Sequence, residues 1–299
     1  MLKFLRKVSI STKFKEDPHK MELTITLPAD FAPMPLTEVL EKEWLIPRKV
    51  RHFLRTRRQV QVNQVNAPFH QLIQPGDVVH LVFEESDYPV PTILPGDAAK
   101  VAVLYEDEQL IVVNKPAGMK THPNQPNEQD TLLNHLAAYL APAYPYVVHR
   151  LDKETSGVIL FAKNPVVLPI LGRLLADKAI YRRYQAIVQG TIQTITITKK
   201  IGRDRHDRRK RIIDEHNGKA AVTHITVVHH LPGKTAVYCQ LETGRTHQIR
   251  VHLAAMGHPI IGDPLYGQAG KRLMLHAEQL TFSLPFTQEK ISVTAPGFW

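Results

Sequence analysis

The chain has 299 residues, enough for about two domains, and its 43% hydrophobic and 22% charged content excludes extended disorder. Lys and Arg outnumber Asp and Glu by 38 to 28, and the resulting +10 points to a polyanionic partner such as nucleic acid. The single cysteine, Cys239, excludes an intramolecular disulfide framework and any multi-cysteine zinc or iron–sulfur site.

The longest apolar runs, at 78–83 and 157–162, fall far short of the roughly 20 residues of a membrane span. Residues 1–7 are basic but lack the apolar stretch of a signal peptide. These features predict a reduced, cytoplasmic, soluble protein. Two segments rich in breakers, 27–35 and 88–97, punctuate the N-terminal third. The second reads as an extended linker, because its prolines fix φ and remove donors.

Between these segments, Leu36, Val39 and Leu40 repeat at helical spacing. Pro47 suits the first turn of a second helix. There Val50, Phe53 and Leu54 form the apolar stripe and leave Arg48, Lys49, Arg51, His52 and Arg55 outward, with Arg57 and Arg58 extending the basic face. Val60 and Val62 alternate with polar residues as a strand does, and Pro75-Gly76-Asp77 is a turn that launches a strand over 78–83. This order resembles the small ribosomal-protein-S-four-type RNA-binding module over about residues 35–83. Such modules usually carry Gly just before the Val-x-Val-Asn strand, where this chain has Arg57-Arg58-Gln59.

Thirteen basic and eleven acidic residues precede position 97, so eight of the ten surplus positive charges lie downstream. Strands are predicted at 101–105, 110–114, 158–162, 184–189, 221–228 and 235–241, and helices at 131–140 and 165–176. Strands arrive in blocks rather than in strict βαβ alternation, which predicts an α+β fold. The basic run 199–211 has eight Lys or Arg against Asp204 and Asp207, and serves equally well as a solvated hairpin or as a landing strip for an RNA backbone.

Gly233-Lys234-Thr235 lacks the earlier glycine of a phosphate loop and reads as a turn between strands. Neither G-x-G-x-x-G nor G-x-S-x-G occurs, which argues against a nucleotide cofactor and a serine-hydrolase elbow. His247, His252, His258 and His276 invite a metal reading, but a pair five apart shares no helical face and H-E-x-x-H is absent, so no metal is expected.

Two segments concentrate chemistry. In the first, His149-Arg150-Leu151-Asp152-Lys153-Glu154-Thr155-Ser156-Gly157 runs directly into an apolar strand. The second sets Arg245, His247, Gln248, Arg250 and His252 around a helix start, where free amides favour phosphate. His149–Asp152 with Thr155–Gly157, and Gly244–His252 with Gly257–Asp263, resemble the signature motifs of RluA-type pseudouridine synthases. The resemblance extends through the stretches 113–118, 181–190, 218–223 and 275–277, and so covers about residues 100–299 in the family's order.

The resemblance implies a catalytic domain built on a large mixed, mainly antiparallel sheet with flanking helices and a central cleft. It implies isomerisation of uridine to pseudouridine within structured RNA, without a cofactor. Asp152 is implied as the essential carboxylate, acting on C1′ as a nucleophile or on a sugar proton as a base. Arg250 is implied as its charge partner, and Tyr184 as a ring that stacks on the base and assists proton removal from C5. Arg182 stands where the family commonly has Lys. The target uridine must leave its stack, with Arg150 filling the space or holding the nucleotide.

His149, Arg245, His247 and Gln248, with Arg48, Lys49, Arg51 and Arg55 of the small module, complete the expected RNA contacts. The resulting layout is an N-terminal extension with the S-four-like module at 1–90, a proline-rich linker at 91–99 and the catalytic domain at 100–299. By analogy, large-subunit ribosomal RNA is favoured over transfer RNA as partner, and a monomer is expected. The rival reading is a catalytically idle RNA-binding or ribosome-assembly protein on the same fold.

Overall fold

The computed structural model describes residues 10–14, by backbone only, and residues 20–299. The basic start at 1–7 lies outside the described residues. The chain forms an α+β protein with two main sheets. The smaller sheet has five strands in the order Ile10–Phe14, Lys20–Thr26, Val78–Glu84, Val60–Val62, Val65–Asn66. Its pairings are all antiparallel. Strand Val78–Glu84 alternates between half-buried and buried residues, as expected of a strand with one covered face.

Helix Arg48–Thr56 lies against this sheet's core through Val50 and Leu54, and the turn Val39–Glu43 just before it is wound more widely than an α-helix. Arg58 takes φ 55°, the left-handed conformation that Gly usually supplies at this point of the module. A side chain there costs about 1–2 kcal/mol, which the flanking helix and strand must offset.

The larger sheet has eight strands in its main path: Ile195–Thr198, Val222–Leu231, Lys234–Leu241, Tyr181–Gln189, Leu275–Ser283, Ser156–Ala162, Leu110–Lys115 and Val103–Glu106. Tyr146–Val147 and Lys290–Thr294 pair at its sides. Among the described strands of this sheet, only Ser156–Ala162 against Leu275–Ser283 is parallel. That pairing is short and close, because a Cβ at Gly157 would lie 2.0 Å from the Ala277 carbonyl oxygen. Gly157 also has φ +114°, so position 157 excludes any side chain.

Strand Ser156–Ala162 is buried along its whole length because the sheet is covered on both faces. Ile159 and Phe161 enter one core, with Ile111, Val113 and Ala186. Val158 and Leu160 enter the other, with Leu110, Val112 and Leu171 of helix Val167–Ala176.

The two sheets share packing. Val166 and Ile170 complete the core of the smaller sheet, Trp44 meets Phe286 edge-on at 5.5 Å, and Arg173 donates to the Lys42 and Glu43 carbonyls. Residues 88–97 form neither helix nor strand. Strand and helix assignments from sequence hold to within a few residues. Strands Leu275–Ser283 and Lys290–Thr294, however, are absent from the sequence-based expectations, although Lys290–Thr294 alternates polar and apolar residues.

Candidate active site

Asp152 sits in the turn immediately before strand Ser156–Ala162, and both neighbouring peptide units are clamped. On one side Thr121 Oγ1 donates to the Leu151 carbonyl and accepts from the Leu151 amide. On the other, the Lys153 carbonyl accepts from Lys115 Nζ at 3.0 Å and from the Gly118 amide at 2.9 Å. Lys115 is fully buried, and its ammonium also donates to the Pro116 and Met119 carbonyls. Burial pulls its pKa down to about 8, against the opposing pull of Asp152 and Glu154. Thr155 N closes the turn on the Asp152 carbonyl. The carboxylate itself stays 19% exposed, at the floor of a cleft of about 540 Å³.

Helix Gln248–Ala255 brings Arg250 alongside, with Nη1 at 3.5 Å from Asp152 Oδ2. Arg250 has a closer partner. Its Nε and Nη2 form a two-pronged pair with Asp263 at 2.8 and 2.7 Å, and both side chains are almost wholly buried. Burial opposes ionisation of Asp263, but Arg250 and the Leu265 and Tyr266 amides outweigh it and hold the carboxyl below its ordinary range. Burial likewise opposes the charge on Arg250, and Asp263 more than restores it. The expected Asp152–Arg250 pair therefore exists as the looser arm of a triad. Asp263 fixes the guanidinium, and Asp152 feels a cation whose charge is shared.

His247, in the left-handed conformation at φ 58°, caps the same helix and turns its ring toward Asp152, with Nε2 3.8 Å from Oδ2. The Tyr266 hydroxyl accepts from the Arg211 amide and contacts His247 Nδ1 at 2.8 Å. In the tautomer where this hydroxyl donates to Nδ1, the ring carries its N–H at Nε2, facing the carboxylate. Burial lowers the His247 pKa, and Asp152 opposes that shift.

Tyr184 points into the cleft from strand Tyr181–Gln189 and is almost fully buried. Burial raises its pKa, which Arg182 opposes and Asp152 reinforces. Arg150 is exposed at the cleft wall, and Arg245 is exposed with Nε on the Ala220 carbonyl. On the small module, Arg48, Lys49 and Arg55 are exposed as expected.

Four expectations need correction. Gln248 is buried and consumed by the protein: Nε2 donates to Val222 O and Thr223 Oγ1, and Oε1 accepts from Thr243 Oγ1 and the Arg245 amide. It braces the loop instead of facing RNA. His149 lines the cleft, but its Nε2 accepts from the Leu160 amide, and burial with the Arg182 charge lowers its pKa to about 3. Arg51 folds back onto Glu41, and Arg57 is held by Asp87 at 2.9 Å with its guanidinium 4.6 Å from the Phe53 ring. Neither extends a free basic face. In each case a polar group that reads as outward is captured by a partner elsewhere in the chain.

Sequence reasoning gave no role to Asp263, Tyr266 or Lys115, since each acts only through contacts across the fold. Two of the histidines set aside as metal ligands are bound within the fold: His252 contacts Thr223 Oγ1 and the Lys199 carbonyl, and His276 contacts Ser156 Oγ. Among the described residues no cluster of three His, Cys, Asp or Glu forms a metal-binding group. No helix among them is long and apolar enough to cross a membrane.

Residues 109–255 match the RNA pseudouridylate synthase family, and residues 23–79 match the RluD ribosomal pseudouridine synthase N-terminal domain. An uncharacterized RNA pseudouridine synthase of Bacillus subtilis, YhcT, is 39% identical over 80% of this chain and 82% of its own length. The ribosomal large subunit pseudouridine synthase D of Neisseria meningitidis is 40% identical over 65% of this chain and 57% of its own. The human RNA pseudouridylate synthase domain containing 1 superposes with a TM-score of 0.57 at 30% identity, covering 68% of this chain and 86% of the human one. The chain belongs to the RNA pseudouridine synthases, isomerases that convert uridine to pseudouridine in RNA.

Proposed function

We propose that this enzyme isomerises specific uridines of large-subunit ribosomal RNA, with Asp152 as the essential carboxylate. The observation that carries the reading is the Asp152 turn: a carboxylate with both adjacent peptides clamped, a guanidinium at 3.5 Å, and one open side toward a nucleotide-sized cleft. In the reaction the N1–C1′ bond breaks, the ring turns, C5 bonds to C1′, and the C5 hydrogen leaves while N1 gains a proton. Asp152 either attacks C1′ or removes a sugar proton so that the ring is eliminated. Arg250, anchored by Asp263, keeps the carboxylate aimed. Tyr184 stacks on the ring, and its hydroxyl assists passage of the C5 proton to water after reattachment.

The target must be extruded from its stack to reach the cleft floor. Arg150 and Arg245 stand at the mouth to hold the flanking backbone. Arg48, Lys49 and Arg55 offer a second contact on the small module, and the exposed Arg203, Arg205 and Arg208 a third on the hairpin. The ribosomal target is supported by the large-subunit relatives and the N-terminal match. The proposed layout is a module at 1–90, a linker at 91–99 and a catalytic domain at 100–299, in a cytoplasmic monomer.

The test follows the hydrogen. Large-subunit ribosomal RNA tritiated at uridine C5 should release label to water with the native chain and retain it with Asp152→Asn. Label retained with both proteins would defeat the assignment.

A further inference from the structure

The cleft contains a second cation to which the Asp152 triad gives no partner. Strand Tyr181–Gln189 sends Arg182 and Tyr184 to the same face, two residues apart, and Arg183 to the other. Arg183 is satisfied there by Glu278 at 2.7 Å and by the Tyr238 ring at 4.6 Å. Arg182 is only 5% exposed, its Nε is buried without an acceptor, and among the described residues the guanidinium has no ion pair. The carboxylate in the cleft wall, Glu242, is spent on Lys178 and His224. A Cβ at Gly244 would lie 3.0 Å from Arg182 Nη1, so the glycine lets the guanidinium pack directly against the loop.

A buried, unpaired guanidinium is costly, and a fold keeps one where a ligand completes it. We propose that Arg182 is a catalytic residue, its guanidinium donating to a ring oxygen of the extruded uracil and stabilising the charge that ring acquires as N1–C1′ breaks. The proposal rests on the pseudouridine synthase reading with Asp152. The electron pair of the broken bond leaves with the ring and spreads over N1, O2 and O4. Arg182 keeps all its protons throughout, and the charge vanishes once C5 has bonded to C1′, the C5 proton has left and N1 is protonated.

Depth selects the base over a phosphate as the ligand. Arg182 lies beside Tyr184 at the inner wall, whereas Arg150 and Arg245 are exposed at the mouth, where the backbone must rejoin the rest of the RNA. The neighbouring His149 is neutral and leaves the guanidinium as the local charge. A guanidinium facing a neutral carbonyl gains little before bond breaking and much after it, so its contribution falls on turnover instead of on binding.

Arg182→Met and Arg182→Lys in the full chain test this, with large-subunit ribosomal RNA tritiated at uridine C5 under single turnover. R182M should slow release at saturating protein by about 10²–10³-fold, the cost of removing one preorganised donor to a developing anion. Its RNA affinity should stay within threefold of native, and R182K should recover at least tenfold of the lost rate. The melting midpoint of free R182M should match or exceed native, because the substitution removes an uncompensated buried charge; a purely structural arginine would lower it. An R182M rate within threefold of native overturns the proposal. So does a loss explained entirely by weaker RNA binding, or one that tracks a fall in melting midpoint in both variants. Native protein that releases no label defeats the enzymatic reading and Arg182 with it; native release beside an unimpaired R182M defeats Arg182 alone.

Discussion

The Asp152 turn and the Arg48–Thr56 helix both present charge, and they are built on opposite principles. Around Asp152 nearly every polar atom has an assigned partner: Lys115 and Thr121 hold the peptides, Asp263 holds Arg250, and Tyr266 holds His247. On the helix, Arg48, Lys49 and Arg55 are exposed, Lys49 with its Nζ 5.5 Å from the Phe53 ring, whereas Arg51 and Arg57 are withdrawn onto carboxylates. Bond making needs atoms held within a fraction of an ångström. Attraction of a polyanion needs only summed charge and is tolerant of position. Substitutions in the first region should therefore act steeply and singly, and those in the second weakly and in proportion to number.

The largest separation is expected for Asp152→Asn, which should abolish C5 tritium release while RNA affinity, read by filter binding, changes less than threefold. A parallel loss of affinity would erase the distinction between the two regions.

Next is Asp263→Ala, which leaves a buried guanidinium without its anchor. Chemical denaturation should register a loss of about 3–5 kcal/mol, the range for breaking one side of a buried pair. Lys115→Met removes three donated bonds beneath the turn and should lower the single-turnover rate by about 10–100-fold, as misplacement of a catalytic group by about an ångström does. A rate unchanged within a factor of two would mean that the turn does not need its clamp.

A pH-linked effect sharpens the contrast. His149 is held near pKa 3 in the fold against an ordinary 6.5, so below 6.5 the unfolded chain binds a proton that the native one refuses. Stability from this group is complete above 6.5 and drains as pH falls toward 3. His149→Gln, which can still accept from Leu160 N, should flatten the fall in urea midpoint between pH 7 and pH 4.

The smallest effects belong to the helix. Arg48→Ala, Lys49→Ala and Arg55→Ala should each weaken RNA binding by less than tenfold. Combined, they should reduce the slope of log affinity against log salt by about 0.7–0.9 for each charge lost. A single one of them that abolished binding would show that this helix, too, is a wired site.

Much of this organisation is legible in one dimension. The apolar run before Ala162, the proline-rich stretch 88–97, the basic helix and the Asp152 segment all come from local pattern, because burial, φ restriction and charge are properties of neighbours in sequence. The Arg58 turn illustrates the limit: the missing glycine is visible, but only the backbone reveals that Arg adopts the left-handed conformation in its place. Strand Leu275–Ser283 escaped detection because its first residues are buried on both faces and do not alternate.

The chain alone determined which residues could carry charge and chemistry, since composition and motif order require no folding. Tertiary structure decided which of those charges are free. It assigned Arg250 to Asp263 before Asp152, consumed Gln248 and His149 in backbone bonds, and left Arg182 buried with no counterion among the described residues. The reason is distance dependence: ion pairs and hydrogen bonds are settled over about 3 Å between atoms whose residues, in these pairs, lie 11, 13 and 26 positions apart, and no local pattern encodes that separation.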